Sequence, residues 1–498
     1  MYICVIITQI YIIIMNALFL TDGYKTGHHQ QYPEGTEEVY SNWTPRSNKY
    51  APKGCNKVVS FGQQYVMKWL HNYFDNNFFS KEKSIVCNEI KEELSLYLNT
   101  DYDVSHFEKL HDLQYLPITV KSIQEGVEVP VRVPMLSVVN THKEFYWVTN
   151  FLETILSTML WQPMTSATIA ILYKRIFKKW AIKTDCNNLE FIEFQGHDFS
   201  MRGMSGLQSA ILSGIGHSSV FLGSDSLPVI STLRKSYNAK NFVVGSVNAT
   251  EHSVMCAGTK DDEIGTFRNL MKTYPTGILS VVSDTWDLWK VLTNYLPKLK
   301  EEILSRDGKL VIRPDSGDPV DIICGENRNL GGNSPKDKGV VELLWDVFGG
   351  TVNEQGFKVL NPKVGTIYGD SITTDRAEEI CKRLFHKGFA STNVVLGIGS
   401  FTYQFNTRDT FGFAMKATSV VVNGKRREIF KDPITDNGIK KSAKGLLKVV
   451  LKNNEYSLID EVSELEEKEG ELKVIYENGE FYNQTNLAKI REIISLNL

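Results

Sequence analysis

Apolar, β-branched runs recur through the middle of the chain, and each of them ends in a polar residue or a glycine cluster. Most of the intervals between run ends are about thirty residues, the length of a strand, a helix and two loops. Repeated strand–helix units of this kind predict parallel strands that are buried on both faces. The seven runs are LEFIEFQGHDF (189–199), SVFLGSD (219–225), NFVVGSVNATEH (241–252), GILSVVSD (277–284), KLVIRPDSG (309–317), KVGTIYGDS (363–371) and NVVLGIGS (393–400).

The residues that end these runs are mostly acidic or small and polar. Because parallel strands end at the same edge of a sheet, an α/β barrel gathers such residues at its catalytic mouth. A doubly wound open sheet places its site at the same ends, so periodicity alone leaves both architectures open. We predict an α/β fold with an irregular parallel (β/α) barrel and a second, mixed α+β domain. The terminal residues are Asp198, Asp225, His252, Asp284, Asp315, Asp370 and Ser400.

The regions on either side of this pattern mix helical and strand signals. Residues 82–98 place charged and apolar positions at helical spacing. Residues 117–136 are typical of short strands with prolines at their ends, and the Asn-Gly pair at 423–424 predicts a hairpin turn. The segment before His252, residues 241–247, is typical of a buried strand. The regions before and after the seven runs therefore suit the mixed domain, whereas residues 241–247 belong to the middle region.

The first twenty residues are almost entirely apolar and long enough to span a bilayer. No basic residue precedes them and no small-residue cleavage site follows, so the marks of a signal peptide are missing. We expect the protein to begin at or near Met15 and to have no membrane anchor. The expected domains are an apolar extension at 1–14, a mixed domain at 15–165 plus 405–498, and a barrel at 166–404.

The charge of the chain is nearly balanced, with 55 basic and 58 acidic residues and a net charge of −3. No global basic field indicates a nucleic-acid or membrane-surface partner, so an anionic substrate needs a local basic site. The seven cysteines are scattered and contain no CxxC pair. They argue against a disulfide framework or a zinc site and fit a reducing compartment, for which we expect the cytoplasm.

The predicted strand ends combine one histidine, several carboxylates, two arginines and a glycine cluster. Carboxylates beside arginines suit sugar hydroxyls or a metal-bound phosphate, and exposed backbone amides at GIGS suit a phosphate monoester. Each signal alone has a structural explanation: a histidine in the core, an aspartate that caps a helix, or a tight turn. Their joint placement at successive strand ends favours an active site.

Two further stretches are rich in polar, aromatic and basic residues. Residues 21–46 are typical of a loop-rich arm, in which Tyr24 could stack on a flat ring and Arg46 could bind phosphate. Residues 405–441 bring several basic side chains after a glycine turn, which indicates a polyphosphate pocket. A solvated surface is the alternative. The basic residues of this second stretch are Arg408, Lys416, Lys431, Lys440 and Lys441.

Seven motifs in order, from about Leu20 to the C-terminal region, resemble the nicotinamide phosphoribosyltransferase family, the type II phosphoribosyltransferases. The resemblance implies that nicotinamide and phosphoribosyl pyrophosphate give nicotinamide mononucleotide and pyrophosphate in NAD biosynthesis. It also implies a homodimer with shared sites, ATP as co-substrate through a phosphohistidine, and Mg²⁺ carried by the substrate phosphates without a resident metal site. The motifs are LTDGYKTGHHQQYPEGT, GHDFSMRGMSG, GSDS, TEHS, VIRPDSGDP, YGDSIT and TRDTFGFAMKAT…FKDPITD.

The resemblance also implies roles for individual residues. His252 is the phosphoryl acceptor, Asp284 bonds its imidazole, and Tyr24 and Arg408 come from the partner subunit. The implied catalytic residues are His252, Asp284 and Asp315. The implied substrate-binding residues are Asp22, Tyr24, Phe199, Arg202, Asp225, Ser246, Arg313, Gly369 and Asp370. The implied phosphate-binding residues are Arg46, Gly399, Ser400, Arg408, Lys416, Lys431 and Lys440.

Three departures from the family pattern are present: Ser400 replaces a glycine, Thr44 an acidic residue, and Ala249-Thr250 a pair of alanines. Two alternatives stay open. A relative acting on nicotinate is the first, and Asp225 argues against it because a carboxylate pairs with an amide and repels another carboxylate. A noncatalytic, membrane-anchored binding protein is the second, and the apolar residues at 1–20 are its only support.

Overall fold

A computed structural model of the protein describes residues 15–326, 332–433 and 442–498. The chain forms two compact units. The first unit contains the described residues of 15–50, 56–161 and 408–485, and the second contains those of 51–55, 162–407 and 486–498. The C-terminal segment 486–498 thus groups with the second unit, whereas the sequence assigned it to the mixed domain.

The strands are numbered in chain order. They are β1 (Thr36–Thr44), β2 (Lys57–Val59), β3 (Ile118–Ser122), β4 (Glu128–Pro130), β5 (Leu136–Asn140), β6 (Gly196–Asp198), β7 (Gly223–Ser224), β8 (Asn248–Ala249), β9 (Thr276–Val282), β10 (Asp307–Arg313), β11 (Gly350–Val352), β12 (Lys358–Leu360), β13 (Val364–Tyr368), β14 (Val394–Ile398), β15 (Ala414–Val422), β16 (Lys425–Glu428), β17 (Leu446–Lys452), β18 (Glu455–Val462), β19 (Lys473–Glu477) and β20 (Glu480–Phe481).

The α-helices are numbered in the same way. They are α1 (His28–Gln31), α2 (Gln63–Phe74), α3 (Lys83–Leu98), α4 (Ser105–Leu113), α5 (Val148–Phe151), α6 (Glu153–Thr184), α7 (Ile192–Gln195), α8 (Leu207–Ser218), α9 (Leu227–Tyr237), α10 (His252–Ala257), α11 (Glu263–Thr273), α12 (Leu288–Lys290), α13 (Leu296–Ser305), α14 (Pro319–Cys324), α15 (Pro335–Phe348), α16 (Thr374–His386), α17 (Ser400–Tyr403), α18 (Glu464–Lys468) and α19 (Leu487–Leu496).

The first unit is built on a seven-stranded sheet in the order β16-β15-β1-β5-β3-β19-β20, and every neighbouring pair is antiparallel. The predicted hairpin turn is confirmed, because Asn423 and Gly424 join β15 to β16 with φ values of 50° and 70°. Helix α3 and the short strands β3, β4 and β5 confirm the other local predictions for this unit.

Strand β1 corrects the expectation of a loop-rich arm at residues 21–46. It lies between β15 and β5, and its residues Val39 to Trp43 are all buried. Successive residues of a strand point to opposite faces, so continuous burial means that both faces of β1 are covered. A strand covered on both faces lacks the alternation of apolar and polar residues that predicts a strand from sequence.

The second unit is built on a seven-stranded sheet in the order β7-β6-β14-β13-β10-β9-β8, and all its pairs are parallel. Each of the seven apolar runs contributes one strand. A parallel bridge between Gly223 and Gly245 then joins β7 to the segment that leads into β8. This bridge closes the ring of strands, so the predicted irregular parallel barrel is confirmed.

The segment before His252 departs from its prediction. Residues 241–247 form no continuous strand, and the chain meets the sheet only at Gly245 and at the two residues of β8. Val243 and Val244 are buried there without strand pairing, whereas Phe242 is exposed. Burial explains their apolar character, because the residues of a buried loop pack in the interior just as those of a buried strand do.

Helix α6 is the one helix of the described residues that is long and apolar enough to cross a bilayer. In its most apolar stretch, 78% of the residues are buried inside the protein. A buried core helix has the same length and composition as a spanning one, so burial accounts for the apolar side chains of α6.

A buried hydrogen-bonded histidine supports the strand ends of the second unit. His217 of α8 lies 3.0 Å through Nε2 from the carbonyl oxygen of Gly223 and 2.7 Å through Nδ1 from the hydroxyl of Tyr403. The carbonyl can only accept, so Nε2 carries the proton and Nδ1 accepts from the tyrosine. Burial lowers the pKa of His217 to about 4, which keeps the ring neutral. This pair of bonds anchors α17, which begins at the predicted phosphate loop.

Replacing Tyr403 with phenylalanine removes the hydroxyl that donates to His217 Nδ1 and leaves that buried acceptor without this bond. We expect Tyr403→Phe to lower the free energy of unfolding by about 1–3 kcal/mol. Urea denaturation at pH 7 measures this loss. Tyr482→Phe, at a tyrosine that is 46% exposed, is the matched control. Equal denaturation midpoints for the two variants would contradict the prediction.

Candidate active site

A cavity of about 550 Å³ opens at the carboxyl ends of the parallel strands in the second unit. It collects most of the residues that the sequence assigned to base, ribose and phosphate binding. Other cavity residues, such as Glu251 and Ser371, were not predicted. The predicted residues that line the cavity are Phe199, Arg202, Asp225, Arg313, Asp315, Gly369, Asp370, Gly399 and Ser400.

Asp225 follows β7 and is held by two neighbours. His197 Nε2 lies 2.9 Å from its Oδ1, and the hydroxyl of Ser246 donates to the same oxygen. Burial alone would raise the pKa of Asp225, but the bonds from His197 and Ser246 and the charge of Arg313 outweigh it and lower that pKa. The side chain is still 43% exposed. Asp225 is thus an oriented, ionised acceptor that faces the cavity.

The aromatic ring of Phe199 lies beside this carboxylate. Its centroid is 4.6 Å from that of His197, and a methyl group added at Gly397 would lie only 2.5 Å from the ring. Glycine at position 397 is therefore required for the ring to pack against the backbone of β14. The arrangement presents a flat apolar surface next to an oriented acceptor, which suits a planar ring that carries a donor group.

Arg313 ends β10 and is tied to the segment that precedes His252. Its Nη2 donates to the carbonyl oxygen of Thr250 over 2.7 Å, while its buried Nε has no hydrogen-bond partner among the described residues. Burial lowers the pKa of Arg313, and the charges of Asp315 and Asp225 act against that shift. The guanidinium therefore remains a cation that faces two carboxylates of the cavity.

Asp284 does not occupy the place that the sequence predicted. Its Oδ2 accepts from the backbone N–H of Asp315 over 2.8 Å and from the hydroxyl of Ser316 over 2.6 Å. Its Oδ1 has no partner within the part of the chain that the structure describes, so the expected bond to the imidazole of His252 is absent. The carboxylate instead fixes the turn that aims Asp315 into the cavity.

His252 is the first residue of α10 and is not a core histidine, because its side chain is 48% exposed. Its Nδ1 lies 3.1 Å from the hydroxyl oxygen of Thr285, and its Nε2 lies 3.9 Å from Oδ2 of Asp315. The second distance is too long for a hydrogen bond, so Nε2 is available to a ligand. An exposed imidazole beside carboxylates is a suitable group for proton or phosphoryl transfer.

The predicted ribose and phosphate loops lie at the ends of β13 and β14. A methyl group at Gly369 would lie 2.7 Å from Oδ1 of Asp315, so glycine allows the close approach of these two strand ends. Gly399 precedes α17, and Ser400 begins it. The hydroxyl of Ser400 lies where a methyl group of residue 203 would be, so Gly203 accommodates the serine that replaces the expected glycine.

The first unit carries the remaining predicted residues that the structure describes. Asp22 exchanges two hydrogen bonds with Thr154, one from its N–H to Oγ1 over 3.3 Å and one from that hydroxyl to its Oδ2 over 2.7 Å. Tyr24 is 66% exposed. Lys431 is exposed, and its N–H donates to the hydroxyl of Ser442 over 2.9 Å. Lys440 lies outside the described residues.

A basic cluster in this unit surrounds one carboxylate, Glu153. Its Oε2 lies 2.7 Å from Nζ of the buried Lys25, and its Oε1 lies 3.6 Å from Nζ of Lys416. Burial lowers the pKa of Lys416, Glu153 acts against this shift, and the nearby cations Arg46, Lys25 and Arg408 add to it. Glu153 pairs with two of these cations, and the further charges near Lys416 give the cluster the positive character that suits a polyphosphate.

Arg46 and Lys416 also line a cavity of about 210 Å³ in the first unit, together with Arg132 and Thr44. The structure therefore brings these two predicted phosphate-binding residues together. It also adds Arg132 and Lys25, which the sequence reasoning missed. In the printed sequence Lys25 directly follows Tyr24, but only the contact with Glu153 sets it apart from other lysines.

Family comparisons agree with this arrangement. The profile of the nicotinate phosphoribosyltransferase family matches residues 194–480, and that of the N-terminal domain of nicotinamide phosphoribosyltransferase matches residues 16–120. A nicotinamide phosphoribosyltransferase from Acinetobacter baylyi is 48% identical over 97% of this chain and 98% of its own length. The chain belongs to the nicotinamide phosphoribosyltransferase family. It is therefore an enzyme of the phosphoribosyl-transferring class, as the sequence motifs predicted.

Other members and solved structures are consistent with membership of this family. The Xanthomonas campestris relative, also named nicotinamide phosphoribosyltransferase, is 31% identical over 96% of this chain and 97% of its own. The crystal structure of human nicotinic acid phosphoribosyltransferase has a TM-score of 0.58 at 16% identity and covers 96% of this chain and 93% of that one. A nicotinate-nucleotide pyrophosphorylase from Pyrococcus furiosus has a TM-score of 0.55 at 16% identity, with 97% and 95% covered. At this identity the two structures show a shared fold.

Two residues near the site of this family member escaped the sequence reasoning. His197 lies in the motif GHDF, of which only Asp198 and Phe199 were predicted as strand-end or site residues. Glycine at position 223 leaves room for this ring, because a methyl group there would lie 2.7 Å from His197 Nδ1. Thr285 follows Asp284 directly, and no spacing rule distinguishes it from an ordinary turn residue. No group of three or more potential metal ligands is found among the described residues.

Proposed function

We propose that the protein transfers a phosphoribosyl group from phosphoribosyl pyrophosphate to nicotinamide, giving nicotinamide mononucleotide and pyrophosphate for NAD biosynthesis. In this reaction the ring nitrogen of nicotinamide forms a bond to C1 of the ribose while the bond to pyrophosphate breaks. The observation that carries the proposal is the carboxylate of Asp225, held by His197 and Ser246 beside the ring of Phe199. The names of the relatives support the same reaction.

The geometry favours an amide over an acid at the ring substituent. An ionised carboxylate accepts a hydrogen bond from the amide NH₂ of nicotinamide and repels the carboxylate of nicotinate. Both neighbours of Asp225 donate to one oxygen, Oδ1, so Oδ2 keeps its lone pairs for a ligand. Phe199 would pack on one face of the pyridine ring, and Tyr24 of a partner subunit would cover the other.

The remaining cavity residues suit the phosphoribosyl group. The carboxylates of Asp315 and Asp370 would accept from the ribose hydroxyls and stabilise positive charge at C1 in the transition state. The amides that begin α17 would hold the 5′-phosphate, and the basic cluster of a partner subunit would hold the pyrophosphate. Mg²⁺ would enter with these phosphates, since phosphate oxygens are its preferred ligands.

Asp225 provides the test of base choice. We expect Asp225→Asn and Asp225→Ser to lower kcat/KM for nicotinamide by about 5- to 150-fold, the loss that corresponds to about 1–3 kcal/mol for an unpaired group. The same variants should use nicotinate relatively better. Steady-state kinetics with both bases measures the ratio, with Asp261→Asn on an exposed loop as the control. A ratio that stays at the wild-type value would show that base selection lies elsewhere.

ATP coupling through His252 is the second part of the proposal. The exposed imidazole, whose Nε2 makes no hydrogen bond to the described residues and lies 3.9 Å from Asp315, can act as a nucleophile toward a Mg²⁺-bound phosphate. The nearby carboxylates would stabilise the cation formed on phosphorylation. Hydrolysis of the phosphohistidine would then draw the transfer toward nicotinamide mononucleotide.

His252→Ala should abolish nicotinamide-stimulated ATP hydrolysis. Slow ATP-independent transfer should survive, because the residues that contact base and ribose remain. The measurement is the release of phosphate from ATP, combined with incubation in γ-labelled ATP, which should give an acid-labile, base-stable label on wild type alone. A variant that hydrolyses ATP at the normal rate would show that His252 has no part in the coupling.

Shared sites in a homodimer complete the proposal. The first unit carries the basic cluster and the exposed Tyr24, and the second carries the cavity for base and ribose. If each first unit serves the partner's cavity, a Tyr24→Ala chain mixed with an Asp315→Ala chain should form dimers with one intact site. Such mixtures should recover up to about a quarter of wild-type activity after subunit exchange. Each variant alone should be nearly inactive, and a mixture without recovery would contradict shared sites.

The enzyme would work in the cytoplasm, as expected from the sequence. The six cysteines of the described residues are all free, and two of them, Cys186 and Cys256, are exposed. Exposed free thiols are typical of a reducing compartment.

A further inference from the structure

The hydroxyl of Thr285 contacts the ring nitrogen Nδ1 of His252 over 3.1 Å. The carboxylate that the sequence assigned to this task, Asp284, is occupied with the backbone of Asp315 and the hydroxyl of Ser316. A threonine and a carboxylate differ in what they do to an imidazole. A carboxylate favours a charged ring, whereas a hydroxyl adds no charge and can either donate or accept.

We propose that Thr285 is the positioning residue of His252 and that it directs phosphorylation to Nε2. The proposal rests on the phosphohistidine function proposed above. In this proposal Nδ1 carries the proton and donates it to the hydroxyl oxygen, so the lone pair of the uncharged ring is on Nε2, the nitrogen that lies 3.9 Å from Oδ2 of Asp315.

Attack from the other nitrogen is sterically blocked. A phosphoryl group on Nδ1 would have to occupy the space in which the hydroxyl of Thr285 already lies at hydrogen-bond distance. The contact with Thr285 also fixes the rotation of the ring, because it holds one edge of an otherwise half-exposed side chain. Orientation of the nucleophile before reaction lowers the barrier to an in-line displacement.

Phosphorylation of His252 requires no proton transfer. The lone pair of Nε2 forms a bond to the γ-phosphorus of ATP, the bond from that phosphorus to the bridging oxygen breaks, and ADP leaves with its electron pair. Nδ1 keeps its proton throughout, in the hydrogen bond to the hydroxyl oxygen of Thr285. Water then attacks the phosphorus, the pair of the Nε2–P bond returns to the ring, and phosphate is released with a proton passed to solvent.

The first measurement needs no variant. Full-length wild-type protein is incubated with γ-labelled ATP and Mg²⁺, digested in base, and the two phosphohistidine isomers are separated by chromatography against standards. We expect the label on Nε2. Label on Nδ1 would overturn the role of Thr285 while leaving the phosphohistidine itself intact. A wild-type protein that takes up no label would overturn the phosphohistidine function and this role together.

The second measurement compares variants at this position. We expect Thr285→Val, which keeps the shape and removes the hydroxyl, to slow phosphoenzyme formation about tenfold. Thr285→Ser should restore the wild-type rate, and Thr293→Val, at an exposed helical threonine, should leave it unchanged. ATP-independent transfer should be unaltered in all three, which shows an intact fold. Equal labelling rates for Thr285→Val and wild type would overturn the proposal.

Discussion

Parallel pairing of the seven strands in the second unit is the constraint on which the rest of the structure depends. Strands that run in one direction must end at one edge, so residues from runs about thirty positions apart meet around a single cavity. The pairing reaches closure through one bridge, between Gly223 and Gly245. Without it the sheet would be open at β7 and β8, and Ser246 could not be held against Asp225 across that seam.

Polar networks orient the functional side chains at the strand ends. Asp284 fixes the turn that carries Asp315, His197 and Ser246 orient Asp225, and neutral His217 ties α17 to β7. In the proposed reaction Asp225, Asp315 and the amides of α17 contact the substrate, and these networks hold them in place. This arrangement keeps the charged groups of the cavity in defined positions before a ligand arrives.

The two units differ in the charged side chains that they bring together. The cavity of the second unit combines carboxylates with one partly desolvated arginine, whereas the first unit gathers cations around Glu153. Carboxylates suit hydroxyls and a developing positive charge, and the cations suit phosphates. The net charge is only −3, but Lys25, Arg46, Arg408 and Lys416 lie near one another and would supply the local positive charge that the proposed anionic substrate needs.

The sequence by itself determined the number of barrel strands, their carboxyl-end residues and the family, because continuous apolar runs and strand-end motifs are local features. It missed strand β1, whose burial on both faces removes the periodic signal, and it misassigned residues 241–247, where packing without pairing imitates a strand. Only the tertiary structure decided which groups touch. Asp284 and Thr285 are neighbours in sequence, yet one supports Asp315 and the other His252. Lys25, Glu153 and Lys416 meet from distant segments. Such contacts depend on strand order, register and side-chain direction, which no local pattern contains.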